Sequence, residues 1–226
     1  MLFSKLLLGI WLSGIIVAAF LYAPAALGLG EYSRIIYFHV PLAWVGVLAY
    51  LVSMIHAVGY LRSASLHHDA AASFNAEIGT LFTLLATVTG AIFSQVTWGA
   101  YWNWDPRQTS IFFLLLIYGA FFALRSGLED REVRARLSSV YLIFAFISVP
   151  FLVFMAPRVY ASLHPEPIIN VQGQLDMNYQ MLAVMLGSVV GFTGLYAWIY
   201  QIHRRVNALE NKLFSRPGRS RAAKQR

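Results

Sequence analysis

Between residues 98 and 110 the chain reads Trp98-Gly-Ala-Tyr-Trp102-Asn-Trp104-Asp105-Pro-Arg107-Gln-Thr-Ser110. Three indoles and a phenol stand together, and a carboxylate and a guanidinium follow them directly. Rings this large at one point of a chain either anchor it in a membrane–water interface or form a surface for something flat and apolar. Two histidines bear on that choice. His39 lies in Arg34-Ile-Ile-Tyr-Phe-His39-Val-Pro41, and His164 in Arg158-Val-Tyr-Ala-Ser-Leu-His164-Pro165. A neutral imidazole is a good axial ligand for haem iron, and two of them on opposite faces of a porphyrin complete a six-coordinate iron. Arg34, Arg107 and Arg158 are suited to pair with propionates by charge-assisted hydrogen bonds. A lone interfacial His or Trp is more often a membrane-belt residue, although a belt spreads its aromatics over all spans. On the residues alone, the belt and the haem readings both stand.

The elements that must position these groups follow from composition. The 226 residues are 58% hydrophobic and 12% charged, with a mean hydropathy of +0.61. A soluble domain carries about 25% charged residues, so the chain reads as an integral membrane protein. A helix needs about 20 apolar residues to cross the hydrocarbon. Segments near 3–23, 41–61, 76–96, 108–124, 138–156 and 180–201 qualify. Period-2 alternation is missing, so the expected fold class is all-α: a polytopic bundle of six transmembrane helices rather than a barrel. No linker or repeat divides residues 1–226, which read as a single membrane domain. The connections fall into one set at about 24–40, 97–107 and 157–179, and another at about 62–75 and 125–137. Pro157, Pro165, Pro167 and Gly173 make 157–179 irregular, with short helical turns at most. Asp105-Pro106 is a helix start, with Asp as cap and Pro at the first helical position, which places Arg107 in the first turn.

Basic residues are divided unevenly between the two sets of connections. Fourteen lie at one side, with both termini, and three at the other: Arg34, Arg107 and Arg158. The positive-inside rule then puts both termini in the cytoplasm and the Trp-rich loop outside. The tail 203–226 reads as a juxtamembrane basic segment that meets anionic lipid, and no nucleic-acid motif surrounds it. Residues 1–23 read as a retained first span, because their apolar stretch outruns a signal-peptide core. The chain has no cysteine, which excludes disulfides, iron–sulfur ligation and a Cys-x-x-Cys-His haem attachment site. The remaining histidines carry weaker signals. His56 is expected to pack against a polar neighbour within its span. His67-His68-Asp69 is expected in a solvated loop, because further nearby ligands are lacking. His203 begins the tail, and Glu77 near the start of the third span suits the helix dipole. Asp105 is either a cap alone or also an orienting group for Arg107 and the Trp loop.

The run Trp98-Gly-x-Tyr-Trp102-x-Trp104-Asp105-x-Arg107-x-Thr109-Ser110 closely resembles the WWD signature of haem-handling membrane proteins of c-type cytochrome maturation. Within them the chain is similar to the CcmC family in length, span number, His39 before Val-Pro, and His164 in the last outward loop. The resemblance covers about residues 30–200, and the chain departs from the family pattern at Phe93-Ser94, Pro106 and Gln108. It implies non-covalent haem b with His39 and His164 as metal ligands, the two axial groups on the iron. It implies that Trp98, Trp102, Trp104 and Asp105 form the platform for haem and chaperone. It implies a site on the periplasmic face of the bacterial inner membrane, and transfer of haem to covalent attachment on the chaperone CcmE. Its implied partners are CcmE, the small protein CcmD and the ABC transporter pair CcmA and CcmB. No catalytic nucleophile or acid–base pair is demanded, so the expectation is a haem-presenting scaffold or a lyase-like activity. Two other readings remain. A haem transporter would want ligands at several depths, for which the sequence offers only His56. A cytochrome b-type electron-transfer subunit would bury its haem between histidines inside helices.

Overall fold

In the computed structural model, residues 2–164 and 177–214 are described. Their regular structure is helical: α1 (Leu2–Leu21), a 3-10 turn (Glu31–Ile35), α2 (Ile36–Ser63), α3 (Leu66–Trp98), α4 (Pro106–Ser126) and α5 (Arg131–Pro150). A π-helical turn (Phe151–Met155), the short α6 (Ala156–Val159) and α7 (Tyr179–Phe214) complete it. Among the described residues the only β pairing is an isolated bridge between Ala26 and Gly30. Six helical stretches are long and apolar enough to cross a membrane, as the hydropathy of the sequence predicts.

The bundle is assembled by small residues that let backbones approach. Gly79 of α3 faces the Tyr50 ring of α2 so closely that an added Cβ would lie 2.6 Å from its Cδ1. Tyr50 in turn stacks on Tyr118 of α4, with ring centroids 3.6 Å apart. Ala57, Ala72, Ala76, Leu114, Phe121 and Val149 are buried around that pair. Gly187 and Gly191 of α7 receive Ile15, Leu12 and Trp11 of α1 in the same way. The α2 helix sits at the centre, packed against α3, α5 and α7, whereas α1 packs along α7.

Helix ends depart from the sequence expectation. The connection expected at 62–75 is only Ala64 and Ser65, because α3 begins at Leu66. Ala64 takes a left-handed turn at φ 51° and its N–H reaches the Tyr60 carbonyl. The polar residues that look like a loop are paired across helices instead. Asp69 is bidentate with Arg125 of α4 at 2.7 and 2.8 Å, Ser53 bonds the Ala72 carbonyl, and Tyr196 of α7 bonds Asn75. His67-His68-Asp69 is therefore helical and not a solvated loop, and Glu77 lies well inside α3. The 125–137 connection is likewise reduced to residues 127–130, closed by Asp130, whose carboxylate accepts the Val133 N–H at 2.8 Å. At the other end α2 begins at Ile36, before Pro41. His39 thus sits in the first turns of a helix rather than in a loop. Pro165, Pro167, Gly173 and the tail from residue 215 fall outside the described residues.

Candidate functional site

Helix α3 stops at Trp98 because Gly99 turns left-handed, at φ 78°, and its N–H closes on the Gln95 carbonyl. A side chain is disfavoured at that φ, so glycine frees the chain to leave the helix. The Trp-rich loop that follows is tied down from beneath. Ser94 is fully buried; its hydroxyl donates to the Ala100 carbonyl at 2.6 Å and accepts from Asn103 Nδ2 at 2.8 Å. Gln108 donates from Nε2 to the same hydroxyl at 3.1 Å, and its Oε1 accepts the Asn103 N–H at 2.7 Å. Ser94 and Gln108 together form the base of the loop. Neither stands out as a polar residue in the sequence, because Gln95 and Thr97 lie beside Ser94, and Arg107, Thr109 and Ser110 lie beside Gln108.

Above this base the indoles divide into two groups. Trp98 meets Phe93 edge-to-face and packs edge-on with the His164 imidazole, with centroids 4.7 Å apart. Trp102 and Trp104 meet each other at 5.8 Å and both lean on Phe112 of α4. Trp104 has φ 54°, unusual for a residue other than glycine, and is 67% exposed. Such a conformation costs about 1–3 kcal/mol and tends to occur where function requires it. The Thr109 hydroxyl holds it by donating to the Trp104 carbonyl at 3.1 Å.

Asp105 is the junction of the site. It caps α4, accepting the Arg107 N–H at 2.9 Å, as the Asp-Pro sequence predicts. Its carboxylate also accepts the Ser162 hydroxyl at 2.8 Å and the Leu163 N–H at 2.7 Å, and lies 2.9 Å from His164 Nδ1. So it is more than a cap: it fastens the segment after α6 to the Trp-rich loop. Burial alone would raise its pKa, but bonds from Arg107, Leu163 and Ser162, with the nearby His164, hold it below the usual carboxylate range. Burial presses His164 down to about 4 against the pull of Asp105, and Arg107 and His39 add to the downward push. His164 is therefore neutral at pH 7, and with Nδ1–H given to the carboxylate its Nε2 keeps a lone pair.

His39 is held in a parallel way. Its Nδ1 is 3.0 Å from Thr89 Oγ1, and that hydroxyl gives its own proton to the Leu85 or Ala86 carbonyl at 3.0 Å. With its proton so placed, the Thr89 oxygen accepts from His39 Nδ1–H and leaves Nε2 for a ligand, and the Ala86 carbonyl also acts on the ring as an acceptor. Gly90 makes room for the ring, since an added Cβ would lie 3.0 Å from His39 Cε1. The Arg107 guanidinium acts electrostatically on both histidines, and Arg158 acts on Arg107 while donating to the Phe154 carbonyl at 2.6 Å. The fold thus gathers His39, His164, Trp98, Asp105, Arg107 and Arg158. Arg34 is engaged elsewhere: it pairs with Glu31 and bonds the Ala19 and Ala23 carbonyls at the end of α1.

The other histidines lie at the opposite end. His56 Nδ1 is 3.1 Å from His68 Nδ1 and its Nε2 is 2.6 Å from the Tyr200 hydroxyl, so its expected polar neighbour is present. His203 stacks on Phe74 at 3.7 Å. Among the described residues no three His, Cys, Asp or Glu side chains gather to hold a metal ion.

Comparison with known proteins agrees with this architecture. A family model described as CcmC, Heme exporter protein C, matches residues 2–217. Heme exporter protein C of Bradyrhizobium diazoefficiens is 30% identical over 191 residues, covering 84% of this chain and 70% of that protein. Heme exporter protein C of Haemophilus influenzae is 30% identical over 199 residues, covering 86% and 79%. An Arabidopsis thaliana protein named putative cytochrome c biosynthesis ccmC-like mitochondrial protein is 28% identical over 207 residues, covering 90% and 78%. A match that runs nearly end to end, over six apolar helices with the Trp-rich loop at one end, makes this chain a member of the CcmC, Heme exporter protein C, family.

Proposed function

We propose that this protein binds haem b non-covalently between His39 and His164 and presents it to the chaperone CcmE during c-type cytochrome maturation. The observation that carries the reading is the pair of imidazoles, each fixed through Nδ1 and each keeping a bare Nε2. Two nitrogens are too few to hold an ordinary metal ion. They suit an iron that brings four equatorial nitrogens of its own. Trp98, packed against His164, gives an apolar wall beside that ligand. Arg107 and Arg158 supply positive charge for propionates, while Arg34 serves the α1 end. Trp102 and the exposed, strained Trp104 form the face offered to the chaperone.

When bound, haem supplies a vinyl edge for attachment to a histidine of the chaperone. The chain's part in that chemistry is positioning, which raises the effective concentration of two slowly reacting groups. The excess of basic residues at the opposite end supports a cytoplasmic position for the termini, and so a periplasmic site on the inner membrane. CcmD and the pair CcmA and CcmB are the expected membrane partners. The transport reading loses its one candidate ligand at a second depth, because both ring nitrogens of His56 are engaged. The test is to supply this protein and CcmE with the CcmA ATPase inactivated. Covalent haem–CcmE should accumulate. Intact haem binding with no haem on CcmE would contradict the presenting role.

A further inference from the structure

The two histidines are held through the same nitrogen but by unlike acceptors. His39 gives its Nδ1–H to a neutral hydroxyl, that of Thr89. His164 gives its own to a carboxylate whose side chain is fully buried. That carboxylate cannot turn away, because the Arg107 and Leu163 N–H groups and the Ser162 hydroxyl grip both of its oxygens. Ser162 also accepts the His164 backbone N–H at 3.1 Å, so the ring and its acceptor are fixed by one local network. A hydrogen bond to a charged acceptor is roughly twice as strong as one between neutral groups. An imidazole that donates to a carboxylate becomes a more basic ligand through its other nitrogen.

We infer that Asp105 is a positioning residue that acts through His164: it fixes the Nδ1–H tautomer, leaves Nε2 as the ligating nitrogen and would make His164 the stronger of the two donors to a bound haem. With haem bound, a more anionic donor would favour ferric over ferrous iron, so Asp105 would bias the redox preference of the site. His39, whose ring meets only neutral acceptors, the Thr89 hydroxyl and the Ala86 carbonyl, would be the weaker ligand. The inference rests on the haem reading above and gives Asp105 a role toward His164 beyond those of cap, orienting group and platform residue.

The test uses full-length protein purified in detergent after haem-replete expression, with the midpoint potential measured by anaerobic redox titration. A wild type without a haem band refutes the haem reading itself, and this assignment with it. With haem bound, Asp105→Asn should keep six-coordinate iron yet weaken the preference for ferric iron about tenfold, an upward shift of about 59 mV for a one-electron couple. Haem retention should fall about tenfold, the lower end for loss of a group that supports a metal ligand. Thr89→Val should shift the potential by less than half as much. A potential in Asp105→Asn equal to that of the wild type would overturn the inference.

Because Asp105 also caps α4, a second arm leaves it in place. His164→Ala is titrated with imidazole, whose N–H can reach the carboxylate, and with 1-methylimidazole, which has no N–H to give. Imidazole should restore the six-coordinate spectrum at about tenfold lower concentration, the ratio expected for a charged acceptor in a buried site. Equal concentrations, or no restoration by either, would overturn it as well.

Discussion

At the scale of single residues, the site depends on polar groups that have several partners each. In the haem-free protein His164 has its pKa held at about 4 by burial, against about 6.5 for a free imidazole. Between those values the unfolded chain binds a proton that the folded chain refuses. Stability is therefore complete above about pH 6.5 and falls as the pH drops toward 4. Asp105, held below the ordinary carboxylate range, adds a further loss in the same direction at lower pH. Histidine-selective nitrogen NMR of haem-free protein should show His164 neutral and protonated on Nδ1 at pH 6; a charged ring there would contradict the geometry. Gln108 is the second such residue. Gln108→Leu leaves the Asn103 N–H and the Ser94 hydroxyl each without one bonding partner, at a cost of about 1–3 kcal/mol for a buried polar group. The expected result is faster amide exchange across 99–105, with exchange in the core of α2 unchanged.

At the scale of elements, close packing at glycine fixes how α2 and α3 meet. In Gly79→Ala the new methyl would meet the Tyr50 ring, which cannot retreat because Tyr118 is stacked behind it. Over-packing of this kind costs about 1–3 kcal/mol, to be read as a lower melting temperature; an unchanged one would show that the helices can part freely. The existence of the helices was legible in the sequence, because an apolar run of spanning length has few other uses. Their ends were not. Residues 66–75 carry two histidines, a carboxylate and an asparagine, a composition that reads as a loop. Asp69 is answered by Arg125 and Asn75 by Tyr196, partners far away in sequence that no local pattern reveals. The cap at Asp105 was legible because capping is a local event. Its bonds to Ser162 and Leu163, more than fifty residues on, were not. Residue type and side pointed to the two histidines, but Thr89 and Asp105, which meet their Nδ1 atoms, were not legible because both contacts join separate elements.

For the whole molecule, the account needs the Trp-rich end on the periplasmic side of the membrane. The chain has no cysteine, so single cysteines report cleanly. In intact cells a membrane-impermeant maleimide should label Tyr101→Cys, on the exposed part of the loop, and should reach Glu129→Cys, in the turn before α5, only after permeabilisation. The reverse pattern would invert the topology and remove the site from the periplasm. The central claim is that two histidines, brought to one end of a six-helix bundle, grip a haem. The most direct measurement is the visible spectrum of the full-length protein, purified in detergent after haem-replete expression, beside His39→Ala and His164→Ala. The account predicts a Soret band and six-coordinate iron in the wild type, with one axial ligand lost in each variant. A wild type without a Soret band, or variants with an unaltered one, would contradict it.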